Sequence, residues 1–438
     1  MLNKLLNKDH LLSNLLISFF PISFILGNLA INLNIILIIF LSLLIWFKKK
    51  EGLKINLIFF DKIIIIFFFY IVFLAIIKYI QLPKGDQSFQ LIIKSLSYLR
   101  YLFFYFALRF LLKDYFNLKL FLFTCSACVI FVSLDIVFQY NFDKDIFGFK
   151  AVPRRMSGPF GSELIAGSFL SRFSLFVFFL FLIFENIKEM QLKIKLPLYF
   201  IFSFIISVGL VLAGNRIPLL IFIVMIFLCF ALVKNFRAYF FLLLLITLFS
   251  LTSFMHYDDG IRKHYAAFQT KIINLLQPFS DDKKIELEDF QNLTTAEKKY
   301  TINFDGDIFF TPGVHAKEFI SGFKTWSENK ILGGGLKSFR FNCPKIYVNC
   351  NIHPHNYYLE VLSDLGIIGF LIIIMLLTYV FYKTFFSKKI VIIPFSIILF
   401  GEVFPLKTTG SFFSTSNSAF IFLFISIIIT MLNRKNLK

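Results

Sequence analysis

The sequence predicts an all-α polytopic membrane protein with about twelve transmembrane helices and one large periplasmic loop between helices 9 and 10. Three observations carry this. The 438 residues are 58% hydrophobic, with a mean hydropathy of +0.78, well beyond a soluble domain of this size. The apolar residues form continuous runs, whereas barrel strands would alternate apolar and polar positions; only helices or closed barrels satisfy the backbone in hydrocarbon. The runs also approach the ~20 residues that cross a bilayer as helix.

By that length rule the candidate helices cover 10–27, 29–47, 60–81, 92–113, 118–140, 162–186, 194–213, 216–233, 237–254, 356–382, 389–405 and 412–432. Lys4 and Lys8 precede the first run, which has no convincing cleavage site and is read as the first span. The predicted organisation is helices 1–9 over 1–254, a loop subdomain over 255–355, and helices 10–12 with a cytoplasmic tail over 356–438.

The connecting loops set the orientation. Lys48, Lys49, Lys50 and Lys54 fall on one side, with Lys113, Lys119, Lys188, Lys193, Lys195, Lys234, Arg237, Lys383, Lys388, Lys389, Arg434, Lys435 and Lys438. By the positive-inside rule that side is cytoplasmic, and both termini lie there. The same pattern accounts for much of the +19 net charge, so nucleic acid is rejected as a partner.

Two outer segments break the rule. One is 140–161, with Arg154 and Arg155 before Met156-Ser157-Gly158-Pro159-Phe160. The other is the short turn Ala213-Gly214-Asn215-Arg216-Ile217-Pro218, where Pro218 suits the first turn of the next helix. An outward arginine is either a solvated, lipid-facing group or a bidentate phosphate ligand. Two such sites on one face favour phosphate.

The 255–355 segment holds five of the six histidines: His256, His264, His315, His353 and His355. Its mixed charge runs, Asp281-Asp282-Lys283-Lys284 and Glu297-Lys298-Lys299, read as solvated faces. The part 314–340 reads as helix ending in a plain turn at Gly333-Gly334-Gly335, which lacks the Lys-Ser/Thr of a P-loop. His353 and His355 at i, i+2 on coil, without a carboxylate set, do not make a zinc site.

Cys343 and Cys350 flank a short polar segment and are disulfide candidates in an oxidising compartment. Cys125 and Cys128 form a CxxC inside an apolar run and read as small helix residues, and Cys229 is also intramembrane. Lys94, Arg100, Asp135, Arg172 and Glu402 fall within spans, where charged groups face the bundle interior and pair. Asp135, one turn from Gln139, either pairs with an arginine or helps shape a polar site.

The chain converges on His355-Asn356-Tyr357-Tyr358-Leu359-Glu360, where the polar loop enters an apolar helix, followed by Gly366-Ile367-Ile368-Gly369. The two glycines give that helix a smooth face for close packing. His355-Asn356, nine residues, then Gly366-x-x-Gly369 resembles the signature of the O-antigen ligase and polymerase superfamily of bacterial inner-membrane glycosyltransferases. Trp326 to Phe339, with its Gly-x-Gly-x-x-x-Phe turn, resembles that family's run before the histidine. Arg155-Met156-Ser157-Gly158-Pro159-Phe160 is similar to its Arg-x-x-Gly-x-Phe element. Gly214-Asn215-Arg216 is similar to its outer-face arginine turn, with Asn in place of the commoner Ser.

The resemblance implies a polyprenyl-diphosphate-linked glycan donor at the outer leaflet. It implies an acceptor sugar hydroxyl on lipid A core or on another lipid-linked glycan, with membrane lipid around both. A general base takes the acceptor proton, a task suited to His355. Asn356 orients that base or the acceptor, and Arg216, Arg155 and Arg154 neutralise the diphosphate. No metal-ligand set is evident, so metal-independent transfer without a cofactor is expected. Ligase, repeat-unit polymerase and protein O-oligosaccharyltransferase share these residues; the large loop leans toward ligase. A lipid-linked glycan transporter is the competing class, but transporters show internal repeats, and none is seen between 10–213 and 216–432.

Overall fold

In lipid the backbone polar groups have only each other as partners, and the computed structural model answers with helices almost throughout. It describes residues 2–48, 57–83, 85–113, 116–183, 192–276, 300–302, 308–310, 313–346, 350–387, 389–408 and 410–434. Lys49, Lys50, Lys54, Lys188, Lys388, Lys435, Lys438 and the charge runs at 281–284 and 297–299 lie outside these residues.

The helices in order are α1 (Leu2–Ser18), α2 (Phe20–Leu26), α3 (Asn28–Lys48), α4 (Phe59–Gln81), α5 (Asp86–Tyr98), α6 (Arg100–Leu112), α7 (Leu118–Phe142) and α8 (Ala166–Ile183). Then come α9 (Leu192–Leu212), α10 (Arg216–Leu232), α11 (Arg237–Tyr257), α12 (Asp259–Leu276), α13 (Gly313–Glu328), α14 (Tyr357–Phe386), α15 (Ile393–Glu402) and α16 (Thr415–Asn433). One small antiparallel pairing, Tyr300–Ile302 with Ile308–Phe310, precedes α13.

The protein is an all-α polytopic membrane protein, and each apolar run of the sequence has a helical counterpart. Among the described residues, eight helices are long and apolar enough to cross a membrane, while Ala166–Phe181, Arg216–Leu232 and Ile390–Glu402 are apolar but shorter. The first run divides into α1 and α2, and Gly27 at φ +93° turns the chain into α3. The fourth run divides at Leu99.

α16 is the axis of the bundle. Every residue from Asn417 to Met431 is buried, as expected of a helix apolar on all sides. Its aromatic rings pack on neighbouring helices: Phe424 lies 5.7 Å from Phe176, and Phe422 lies 5.7 Å from Tyr101. The outer helices present Phe40, Phe69, Phe249 and Phe385 outward, a surface suited to hydrocarbon.

Candidate active site

The first half of the site is the loop after α7. Gln139 holds it: Oε1 accepts the Gly158 N–H at 2.9 Å, and Nε2 donates to the Phe149 carbonyl at 3.2 Å. Asp135 accepts the Ile146 N–H at 2.9 Å. Among the described residues Asp135 makes no ion pair with an arginine.

That loop meets the α9–α10 turn. The Met156 N–H donates to the Leu212 carbonyl at 3.2 Å. Gly214 has φ +65°, and a Cβ there would stand 2.3 Å from the Arg154 carbonyl oxygen. Only glycine permits this approach, and it brings Arg154 and Arg155 up to Arg216. Asn215 clamps the turn to the start of α8, its Oδ1 accepting the Gly167 N–H and its Nδ2 donating to the Leu164 carbonyl, both at 3.0 Å. The carboxamide reaches both backbone groups from its separate oxygen and nitrogen.

His264 on α12 completes the group. Nε2 lies 2.8 Å from the Gly214 carbonyl and Nδ1 lies 3.0 Å from Arg216 Nη2. Both bonds hold when Nε2 carries the proton and Nδ1 accepts from the guanidinium; the 3.2 Å approach of Arg216 Nε to Nε2 is then a contact only. Burial, together with the charges of Arg216, Arg155 and Arg154 and against the Gly214 bond, lowers the His264 pKa. A neutral imidazole orients Arg216 without repelling it.

The second half is the stretch before α14. Asn356 caps that helix: Oδ1 accepts the N–H groups of Tyr358 at 3.0 Å and Leu359 at 3.1 Å. Its Nδ2 donates to the Pro405 carbonyl at 2.8 Å. The carboxamide expected to orient His355 or the acceptor is engaged by backbone, and its hold on His355 is through the chain. His355 itself has φ +51°, an uncommon conformation for a residue with a side chain. Its Nε2 lies 3.4 Å from Glu318 Oε1 on α13, and Glu318 is held by Asn351 Nδ2 at 2.5 Å. The His353 ring lies 4.3 Å away, tilted by 38°. Burial first, then His355 and Arg340, push the His353 pKa down to about 4, so His353 is neutral where His355 would act.

Gly366 behaves differently from a smooth helix face, whereas Gly369 stays helical and is closely approached by a neighbour. Gly366 breaks α14 with φ +65° and ψ −170°. The 330–335 turn enters the break: the Gly334 N–H donates to the Ser363 carbonyl at 2.9 Å, Gly335 to Asp364 at 2.7 Å and Ile367 to Lys330 at 2.9 Å. Another element does pack closely, but what it needs from Gly366 is a backbone conformation. A Cβ on Gly369 would stand 3.2 Å from the Tyr70 ring. Cys343 and Cys350 are joined by a disulfide with Cα atoms 5.9 Å apart.

A small cleft is lined by Ser168 and Arg172 of α8, Pro218 of α10, and Glu402 and Lys407 among others. Pro218 follows Arg216 closely, and Lys407 follows Pro405, whose carbonyl Asn356 holds. Glu402 is the hub: both its oxygens accept from Arg172, at 2.7 and 2.6 Å, and Oε1 also accepts from Lys407 at 2.7 Å and Tyr357 at 2.6 Å. The pairing expected of intramembrane charges is therefore met for Arg172 and Glu402. Among the described residues no group of three His, Cys, Asp or Glu is suited to a metal ion.

The structure thus brings Arg154, Arg155 and Arg216 together and sets His355 beside Glu318. His264 and Glu318 escape the sequence reading because their partners lie far away in the chain, and Lys407 escapes it although Glu402 is five residues away. The model of the O-antigen ligase family matches residues 201–374, a stretch that includes Arg216, His264, Glu318 and His355. The match supports the O-antigen ligase and polymerase superfamily as the chain's kin. No curated protein matches the chain.

Proposed function

We propose, from the O-antigen ligase match over 201–374, that the chain moves a glycan from a polyprenyl-diphosphate carrier to a sugar hydroxyl of lipid A core. The work is done at the periplasmic face of the inner membrane. The observation that carries this reading is the convergence of Arg154, Arg155 and Arg216 around Gly214. Three cations on a fixed turn suit a diphosphate that leaves with its full charge.

In this reading the acceptor hydroxyl gives its proton to the His355 imidazole as its oxygen bonds the sugar's anomeric carbon. The bond from that carbon to the diphosphate oxygen breaks, and the electron pair leaves with the diphosphate onto the arginines. Glu318 steadies the imidazolium so formed, and the cap made by Asn356 fixes where the imidazole stands. The carrier's tail lies along the apolar helices.

The test is lipopolysaccharide banding in a deletion strain of the source organism, complemented with wild type or His355→Ala at equal membrane levels. Loss of all long glycan on core, with polymerised lipid-linked glycan accumulating, supports ligation. Core bearing a single repeat makes the acceptor another lipid-linked repeat, and the chain a polymerase. Normal banding from the alanine variant removes His355 from the mechanism.

A further inference from the structure

Lys94 and Arg100 stand out in the sequence as charges within a span, and the mechanism above leaves them unused. In the structure they meet two more cations. The turn that enters the α14 break continues into Lys337 and Arg340, and Asp364 pins it by accepting the N–H groups of Lys337 at 2.7 Å and Phe339 at 2.9 Å. The turn rests on α5: a Cβ on Gly335 would stand 3.4 Å from Leu91, and Lys94 Nζ lies 5.0 Å from the Phe341 ring centre. Arg100, at the α5–α6 break, donates to the Ser97 carbonyl and to Tyr101 Oη, both at 3.0 Å.

Among the described residues none of these four cations pairs with a carboxylate. The Nε atoms of Arg100 and Arg340 are buried without a hydrogen-bond partner. The two nearest carboxylates are already committed. Asp364 holds the turn, and Glu360 accepts from Ser411 Oγ at 2.5 Å and the Phe412 N–H at 2.6 Å. Lys337 keeps φ +60°, unusual for lysine. Burial, with Arg340 next, holds its ammonium below the usual lysine range. Four half-buried cations thus face two carboxylates, Asp364 and Glu360, and the excess of positive charge suits an anion from outside.

We infer that Lys94, Arg100, Lys337 and Arg340 form a second anion site, separate from the arginine turn, which seats a phosphate carried by the membrane-anchored acceptor. The word acceptor rests on the function proposed above; the anion site rests on the geometry alone. Arg340 is close enough to His353 to influence its charge, and the His353 ring lies 4.3 Å from that of His355. The site therefore flanks the general base on the side of His353, while the donor's arginines gather round His264. A phosphate anchored there would hold the acceptor's sugars near His355 and turn a two-body encounter into a positioned one.

The test uses the full chain in nanodiscs of zwitterionic lipid and three probes: phosphorylated lipid A, the same lipid without phosphate, and polyprenyl diphosphate. The double variant Lys337→Gln/Arg340→Gln should weaken binding of phosphorylated lipid A at least about tenfold. It should leave the dephosphorylated lipid unchanged and keep one equivalent of polyprenyl diphosphate, which also shows that it is folded. Lys337→Arg/Arg340→Lys should recover most of the loss. Lys94→Gln gives a second reading if the double variant does not fold. A fall in polyprenyl diphosphate stoichiometry from two to one, with lipid A unaffected, would assign the phosphate to a second carrier-linked glycan and still support the site. Equal binding by wild type and variants, or loss of every equivalent of polyprenyl diphosphate in a folded variant, would overturn it. A protein that binds both ligands and transfers no glycan refutes the proposed function and leaves the anion site standing.

Discussion

Replacing Gly366 with alanine tests the architecture of the site at one atom. The added Cβ would stand 2.1 Å from the Ile331 carbonyl oxygen and 2.7 Å from the Gly333 nitrogen, both backbone atoms that cannot rotate away. The conformation at φ +65° and ψ −170° is open essentially to glycine alone and costs other residues about 1–3 kcal/mol. The 330–335 turn must also retreat from α14, and it is held by backbone hydrogen bonds from Gly334, Gly335 and Ile367. At about 1 kcal/mol net for each bond lost, the total is about 4–6 kcal/mol. Gly85→Ala is the control: it has extended backbone and nothing within 4 Å of the new Cβ, so it should be close to neutral. Thermal unfolding of the purified protein in detergent measures both. A Gly366→Ala protein that melts with Gly85→Ala and the wild type would refute the helix break as the reason for glycine at this position.

Three further outcomes follow from the same geometry. Glu318→Gln should lower kcat about 10- to 100-fold with the donor KM unchanged, in a transfer assay with purified protein; an unchanged kcat removes Glu318 from the reaction. His353 has its pKa lowered from 6.5 to about 4 on folding, so between those values the unfolded chain holds the proton and the folded chain does not. Stability should be complete above about pH 6.5 and fall as pH drops toward 4; His353→Gln should lose less on going from pH 7 to pH 5, and equal losses would exclude this histidine as the cause. Cys343→Ser should cost about 2–3 kcal/mol for a closed loop this short, read as a lower melting temperature that reductant reproduces in the wild type and not in the variant.

Helix positions were legible because lipid imposes continuous apolar runs of set length. The arginine group was legible because Arg154, Arg155 and Arg216 all break the charge rule on one face. Gly366 was legible as a place of close approach but not as a break, since a glycine pair at i, i+3 looks the same in sequence whether it supplies a smooth surface or a positive φ. Asn356 was read as a chemical group, yet Asn before an apolar helix is also an ordinary N-cap. His264 and Glu318 carry no local signal. Each acquires its place only when a segment of the 255–355 region folds back onto the bundle. Lys94 and Arg100 were flagged as costly, but nothing in the sequence joins them to Lys337 and Arg340, more than 230 residues on.

α15 bears on how the molecule is made. Ile390–Glu402 reaches about 20 Å as helix, short of the ~30 Å hydrocarbon layer, and the chain then runs through Val403–Ser414 before α16 begins. Insertion machinery that sorts segments by their own hydrophobicity has little to act on here. What fixes this stretch is tertiary: Arg172 of α8 on Glu402, Asn356 on the Pro405 carbonyl, Tyr358 on the Val403 carbonyl and Glu360 on Phe412. Those partners are all synthesised earlier, so the segment can settle only once they are in place. The stretch that carries Glu402 and Lys407 is thus a late product of biogenesis, and a substitution at Arg172 would remove one of the four contacts on which it docks.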